Sequence, residues 1–339
     1  MNTRDTDILN VILIVISLMV AFQVPFGLLI FSYVFLGPIH YLTEINWLKE
    51  KKYFVKETKW IWILLAFVAF VSIPVFLKLP LFAGTNVSPQ ITKWSNFILG
   101  YTDEVLVTAI LFAIGLIYLR NKVHIILILM GSALLATLFL NYFPDFALLV
   151  TIFLPTIVHV YLFTLLFMIF GTINSKSTPG IIAIILLALA PVIIMLSKIN
   201  PADYFVIKDY TRNSFNDSGF GNLNVLVAKY FTPEGSGQFN YFSAVGIKIQ
   251  IFVAFAYTYH YLNWFSKTSI IRWDKSLSKT KIIAIFSIWA ISVALYLYDF
   301  KIGLIVLSFL SLAHVLLEFP LNMTSIKGIC LKIKSQFIS

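Results

Sequence analysis

Long apolar runs dominate the chain, broken at fairly regular intervals by short polar or charged stretches. A hydrocarbon core of about 30 Å needs about 20 apolar residues in a helix. Eight runs after residue 50 approach that length: 58–78, 98–119, 122–140, 145–171, 180–198, 241–265, 281–298 and 302–322. The stretch from Ile8 to Leu48 is also nearly all apolar. As a single helix it would be about 60 Å long, too long for one crossing. Gln23, Pro25 and Gly27 sit at its middle and mark a turn. The pattern therefore predicts two spans there, 8–24 and 26–48, and ten in all. Nine, with one long kinked helix, is the fallback. Each span should be helical, because a helix satisfies its own backbone groups inside lipid.

Composition agrees with this pattern. The 339 residues are 60% hydrophobic and only 12% charged, against about 25% charged in soluble domains. A soluble enzyme is excluded on that ground. The expected fold is an all-α integral membrane protein, a single polytopic helical bundle over residues 1–339. A long extracytoplasmic loop is expected at 199–240 and a basic amphipathic cytoplasmic tail at 324–339.

The net charge of +10 would suggest nucleic acid on a soluble chain. Here it tests topology, because Lys and Arg collect in cytoplasmic loops. With the amino terminus inside, 17 of the 25 basic residues fall on the cytoplasmic side, including Lys49, Lys51, Lys52, Lys56 and Lys59. Both termini are therefore expected in the cytoplasm. The bilayer is the expected partner and nucleic acid is not. The single cysteine, Cys330, cannot form an internal disulfide.

Chemistry concentrates in the histidines. His40, His159, His260 and His314 lie inside spans, and His124 opens one. Ionisable groups inside a membrane are expensive and mark functional sites by default. With the predicted topology all five fall in the cytoplasmic half. Helical rise puts His40, His260 and His314 within roughly 10 Å of one another in depth. His124, beside Lys122, reads as interfacial.

Two of these histidines have a carboxylate four residues on, His40 with Glu44 and His314 with Glu318. Side chains at i and i+4 share a helix face. Imidazole and carboxylate together suit non-haem iron or zinc, so His40, His159, His260, His314, Glu44 and Glu318 are the expected metal ligands. Tyr257 and Asn263 share the aromatic stretch around His260 and are expected to support it from behind. Trp264 reads as part of an aromatic belt at the interface. The H-x-x-x-H boxes of membrane desaturases, the H-E-x-x-H zinc protease motif, the P-loop and the G-x-S-x-G elbow are all absent.

The run Gly37-Pro38-Ile39-His40-Tyr41-Leu42-Thr43-Glu44 resembles the G-x-P-H-G-x-x-D segment of the bacterial membrane β-carotene dioxygenase family (Brp/Blh type). Phe255 to Trp264 and Leu312 to Glu318 are loosely similar to His-bearing spans of that family. The resemblance implies a bacterial inner-membrane enzyme in which intramembrane histidines, here His40, His260 and His314, hold Fe(II). It also implies oxidative cleavage of a carotenoid by O2 to give retinal. The leading expectation is thus a membrane-embedded, metal-dependent oxygenase acting on an apolar lipid, isoprenoid or carotenoid substrate. The alternative is a multi-pass transporter or flippase in which intramembrane His and Glu serve as proton-relay or substrate groups.

Overall fold

The computed structural model describes residues 2–83, 89–205, 207–231 and 239–338. The chain is helical, with no strand among the described residues. The main helices are α1 (Thr3–Gln23), α2 (Pro25–Glu50), α3 (Thr58–Phe76), α4 (Pro89–Gly100), α5 (Thr102–Tyr118), α6 (Lys122–Tyr142), α7 (Leu149–Ser175), α8 (Thr178–Leu196), α9 (Asp209–Asp217), α10 (Phe220–Phe231), α11 (Ala244–Ser266), α12 (Lys279–Tyr298) and α13 (Phe300–Ile338).

Eight of these are long and apolar enough to cross a bilayer: α1, α2, α3, α6, α7, α8, α12 and α13. The pair α4 and α5, bent by 51° at their junction, makes a ninth if it forms one span. The remaining expected span, 241–265, is α11. It has the length, at 23 residues, but Lys248, Gln250, Thr258, His260 and Asn263 make it more polar, and it is buried along most of its length. The faces that α6, α8 and α12 leave exposed are largely apolar, with Met130, Leu135, Ile185 and Ile291 among them. Such faces suit lipid.

Local chemistry sets the helix ends. Val24, in a non-helical conformation, and Pro25 at the first position of α2 divide the amino-terminal stretch into two helices, as Pro at N1 favours. Asn2, Asn121, Ser177, Ser243 and Ser278 cap α1, α6, α8, α11 and α12 with side-chain oxygens on backbone N–H groups, which satisfies donors the first helical turn leaves unpaired. Two helices carry π-helical segments, Ser32–Leu36 in α2 and Leu149–Phe163 in α7. Each lies at a proline, Pro38 or Pro155, whose missing N–H releases the carbonyl four residues earlier and loosens the regular ladder.

By internal packing the chain divides into two units. The first comprises residues 1–40 and 160–301. Here α1 packs along α8 and α11. The Asn10 side chain of α1 accepts from Asn263 at 2.7 Å and from Tyr259 at 3.0 Å. The 199–240 region contains α9 and α10, with 206 and 232–238 outside the described residues. Phe215 of α9 meets Phe26 edge-on at 5.0 Å. The apolar patch of α10 lies against protein, with Leu223 and Ala228 buried and Asn224 donating to Gln250 of α11 at 2.8 Å. Trp289 of α12 donates to the Phe35 carbonyl in the first π-helical segment at 2.8 Å.

The second unit comprises residues 41–159 and 302–339. Its α5–α6 hairpin closes over Val107, Ala136 and Leu140. The two helices approach so closely at Gly115 that a Cβ there would sit 2.8 Å from Ile128 Cγ1. The basic tail is no separate element. It continues α13 to Ile338, with Lys327 lying over the Tyr118 ring at 4.8 Å. Residue 339 is outside the described residues.

Candidate metal centre

In the first unit, His40 of α2 faces His260 of α11. Their Nε2 atoms are 3.1 Å apart and the rings meet nearly edge to face. His40 follows the π-helical segment by four residues, so the local winding of α2 sets its direction. Tyr261 and Trp264 of α11 pack against the His40 ring, at centroid distances of 5.1 and 5.6 Å. Trp264, expected at the membrane interface, is thus a packing partner of His40.

Behind His260 stands Thr164 of α7, its hydroxyl 2.8 Å from His260 Nδ1. The same hydroxyl donates to the Val160 carbonyl at 2.9 Å. A hydroxyl has one hydrogen to give. Spent on Val160, it leaves the Thr164 oxygen as an acceptor, so His260 Nδ1 carries the proton. His260 Nε2 is then the acceptor in its pair with His40.

The second unit repeats this arrangement with other groups. His159 of α7 and His314 of α13 place their Nε2 atoms 3.1 Å apart. A carboxylate oxygen of Glu318 lies 3.1 Å from His159 Nδ1. His314 Nδ1 lies 2.5 Å from the Ser311 carbonyl. The Ser311 carbonyl accepts and cannot donate, so His314 Nδ1 holds a proton. Tyr41 stacks on His314, with ring centroids 4.2 Å apart and planes 25° from parallel, which fixes the plane of that ring.

At that separation one imidazole can donate its Nε2 proton to the lone pair of the other, and each pair is a hydrogen bond in the structure. A metal ion could take the place of the shared proton. Two nitrogens bound at about 2.0–2.1 Å to one tetrahedral metal ion would be roughly 3.4 Å apart, close to what both pairs show. His40, His159, His260 and His314 are all buried. His260 and His314 are hydrogen-bonded from behind at Nδ1, the outer-shell support that fixes tautomer and ring orientation in metal sites. The donor set therefore fits a metal ion.

The other expected site residues fall in several places. Glu318 is buried, with a carboxyl oxygen 3.1 Å from Nδ1, the far nitrogen of His159. That makes it a neighbour of a candidate ligand. Glu44 is also buried, one helical turn past His40. Tyr257 belongs to an aromatic group with Tyr33, Phe220 and Tyr261. Asn263 directs its amide to Asn10 and to the Tyr259 hydroxyl, at 2.7 and 3.1 Å. His124 is exposed at the start of α6, where an interfacial residue belongs. Thr164 and Ser311 carry no sequence signal that would select them, whereas Tyr41 and Trp264 stand next to, or one turn from, histidines already singled out.

Thr164 gives a direct test. Thr164→Val keeps the shape and removes the acceptor, and is expected to weaken metal binding by about tenfold. Thr164→Ser keeps the acceptor and should bind like the wild type. Metal titration of the two variants checks this. Equal affinity for Val and Ser would show that the hydroxyl does not set the tautomer.

Comparison with known protein families, curated proteins and solved structures finds no match for this chain.

Proposed function

We propose that this chain is a membrane-embedded, metal-dependent oxygenase-like enzyme, with His40, His159, His260 and His314 holding a non-haem iron ion and an apolar polyene or isoprenoid lipid as substrate. The observation that carries the metal assignment is the pairing of four buried imidazoles, two in each unit, through Nε2 atoms 3.1 Å apart. Neutral imidazole suits iron, zinc and copper, whereas thiolate would favour zinc or an iron–sulfur cluster. The one cysteine, Cys330, is exposed on the tail of α13, sixteen residues past His314. Iron is the choice among these metals because of the resemblance of residues 37–44 to the Brp/Blh type. When bound, iron(II) would supply the O2 chemistry that the side chains of this chain lack.

The residues around the histidines have their own tasks. Thr164 and the Ser311 carbonyl hold the Nδ1 protons of His260 and His314, which directs Nε2 of each ring to its pair contact. Tyr41 and Trp264 hold ring planes. Phe220, Tyr257 and Tyr261 form a run of edge-on rings leading to His40. Such rings offer a π surface for an unsaturated hydrocarbon and hydrogen-bond little with it. The substrate would enter from the lipid. We place both termini on the cytoplasmic side of a bacterial inner membrane, from the distribution of basic residues.

Metal analysis of the full chain in mild detergent tests the proposal. About one equivalent of iron is expected in the wild type, and less than about a tenth in His40→Ala or His314→Ala. Metal below that level in the wild type, unchanged by either variant, would overturn it. A full equivalent of zinc in place of iron would keep the site and overturn the oxygenase reading.

A further inference from the structure

α13 carries a buried polar stripe that continues past the histidine. His314, Glu318, Asn322 and Ser325 are all at least nine-tenths buried. At about 100° per residue they lie within roughly 80° of one another around the helix. Three of the four have a use or a simple outlet. His314 and Glu318 serve the candidate metal centre, and a serine hydroxyl can return its hydrogen to its own helix. Asn322 differs. It is 2% exposed, and neither its amide nitrogen nor its amide oxygen has a hydrogen-bond partner. A buried amide left in that state costs free energy on both atoms, and native structures rarely leave such groups unused.

We infer that Asn322 binds the polar end of the substrate, a hydroxyl group on an otherwise apolar chain. The inference rests on the oxygenase reading for the identity of the metal-centre substrate, but the binding site itself does not. An alcohol offers one donor and one acceptor, and Asn322 has one of each to match. Its position suits such a role. Asn322 lies one turn beyond Glu318 and two turns beyond His314, about 12 Å along the helix axis. An alcohol anchored there would hold its hydrocarbon part at the level of His314. A pure hydrocarbon would leave the amide unpaired, so the site discriminates against it.

The test uses the immobilised full chain and two radiolabelled probes with the same number of carbons, the isoprenoid alcohol farnesol and the hydrocarbon farnesene. Binding is read by scintillation proximity, with metal content measured on the same samples. The wild type is expected to prefer the alcohol by about tenfold or more. Asn322→Leu should lose that preference, keep its metal, and melt no lower than the wild type without ligand, because an unpaired buried amide is gone. Equal binding of the two probes by the wild type overturns the inference and leaves the amide as a site for an ordered water only. So does a preference that survives in Asn322→Leu. If that variant does not fold, Asn322→Ser replaces it, with a preference reduced by several-fold expected and an unchanged preference counting against the inference. Alcohol preference in a wild-type protein without metal would uphold the anchor and overturn the oxygenase reading.

Discussion

Glu318→Leu is expected to lower metal affinity by about 10–100-fold, the usual cost of removing an outer-shell partner. The reason lies in the geometry at His159. The carboxyl oxygen 3.1 Å away is within reach of Nδ1; the contact lacks hydrogen-bond geometry as it stands, and a small turn of the ring makes it the acceptor for an Nδ1 proton when Nε2 binds a metal. Leucine removes that acceptor. The buried N–H then costs about 1–3 kcal/mol if it stays where it is. The ring can avoid the penalty by moving the proton to Nε2, where His314 Nε2, 3.1 Å away, accepts it. The rearranged pair is satisfied without metal, and a proton occupies the place a metal ion needs. Glu318→Gln separates the two contributions. Its amide oxygen still accepts from Nδ1–H but adds no negative charge, so it should restore most of the tautomer control and only part of the affinity. Isothermal or competitive metal titration gives the order wild type, Gln, Leu. Leucine equal to the wild type would mean that Glu318 does not orient His159.

The histidines themselves are legible in the sequence, because ionisable groups within apolar runs stand out. The partners are not. The i, i+4 spacing puts Glu318 on the same face as His314, and it does lie there, but its oxygen meets His159, which comes from α7. The spacing states which side chains share a face, not which helix lies opposite. The same limit hides Thr164. Its sequence context is an ordinary apolar helix, and its role exists only because α11 presents His260 to it. Trp264 suits an interfacial belt by position, and only packing puts it on His40. The spans follow directly from the apolar runs, since length and hydropathy decide them locally. The departures arise where long-range packing enters. α11 keeps polar residues because it is enclosed by protein. The 199–240 region folds into two helices because Phe215 and Leu223 find apolar surfaces to cover. The π-helical segments are half-legible, since Pro38 and Pro155 announce a disturbed ladder but not its form.

Asn10→Leu should have the opposite profile to Glu318→Leu: a large loss of stability with the metal retained. Asn10 is 1% exposed, and its side-chain oxygen accepts from Asn263, Tyr259 and Ser266 at 2.7, 3.0 and 3.2 Å. Its nitrogen donates to the Thr6 carbonyl one turn back at 2.8 Å. Leucine is close in size, so little space is created, but three donors on α11 lose a shared acceptor. All three have other acceptors in reach: Tyr259 can turn to the Met168 sulfur at 3.2 Å, Ser266 to the Asn263 carbonyl at 2.8 Å and Asn263 to the Tyr259 hydroxyl at 3.1 Å. The net cost should therefore be about 2–4 kcal/mol, below three full desolvation penalties. A drop of roughly 5–10 °C in melting temperature would follow. The effect should stop there. Tyr259, Asn263 and Ser266 occupy the face of α11 turned to α1, while His260 is held by Thr164 and packed beside His40. α11 thus carries two buried polar groups on adjacent faces, one binding it to α1 and the other presenting a metal ligand. Metal stoichiometry measured below the melting temperature distinguishes them. If Asn10→Leu loses metal in proportion to stability, the two faces act as one cooperative unit, and the separation argued from their hydrogen bonds does not hold.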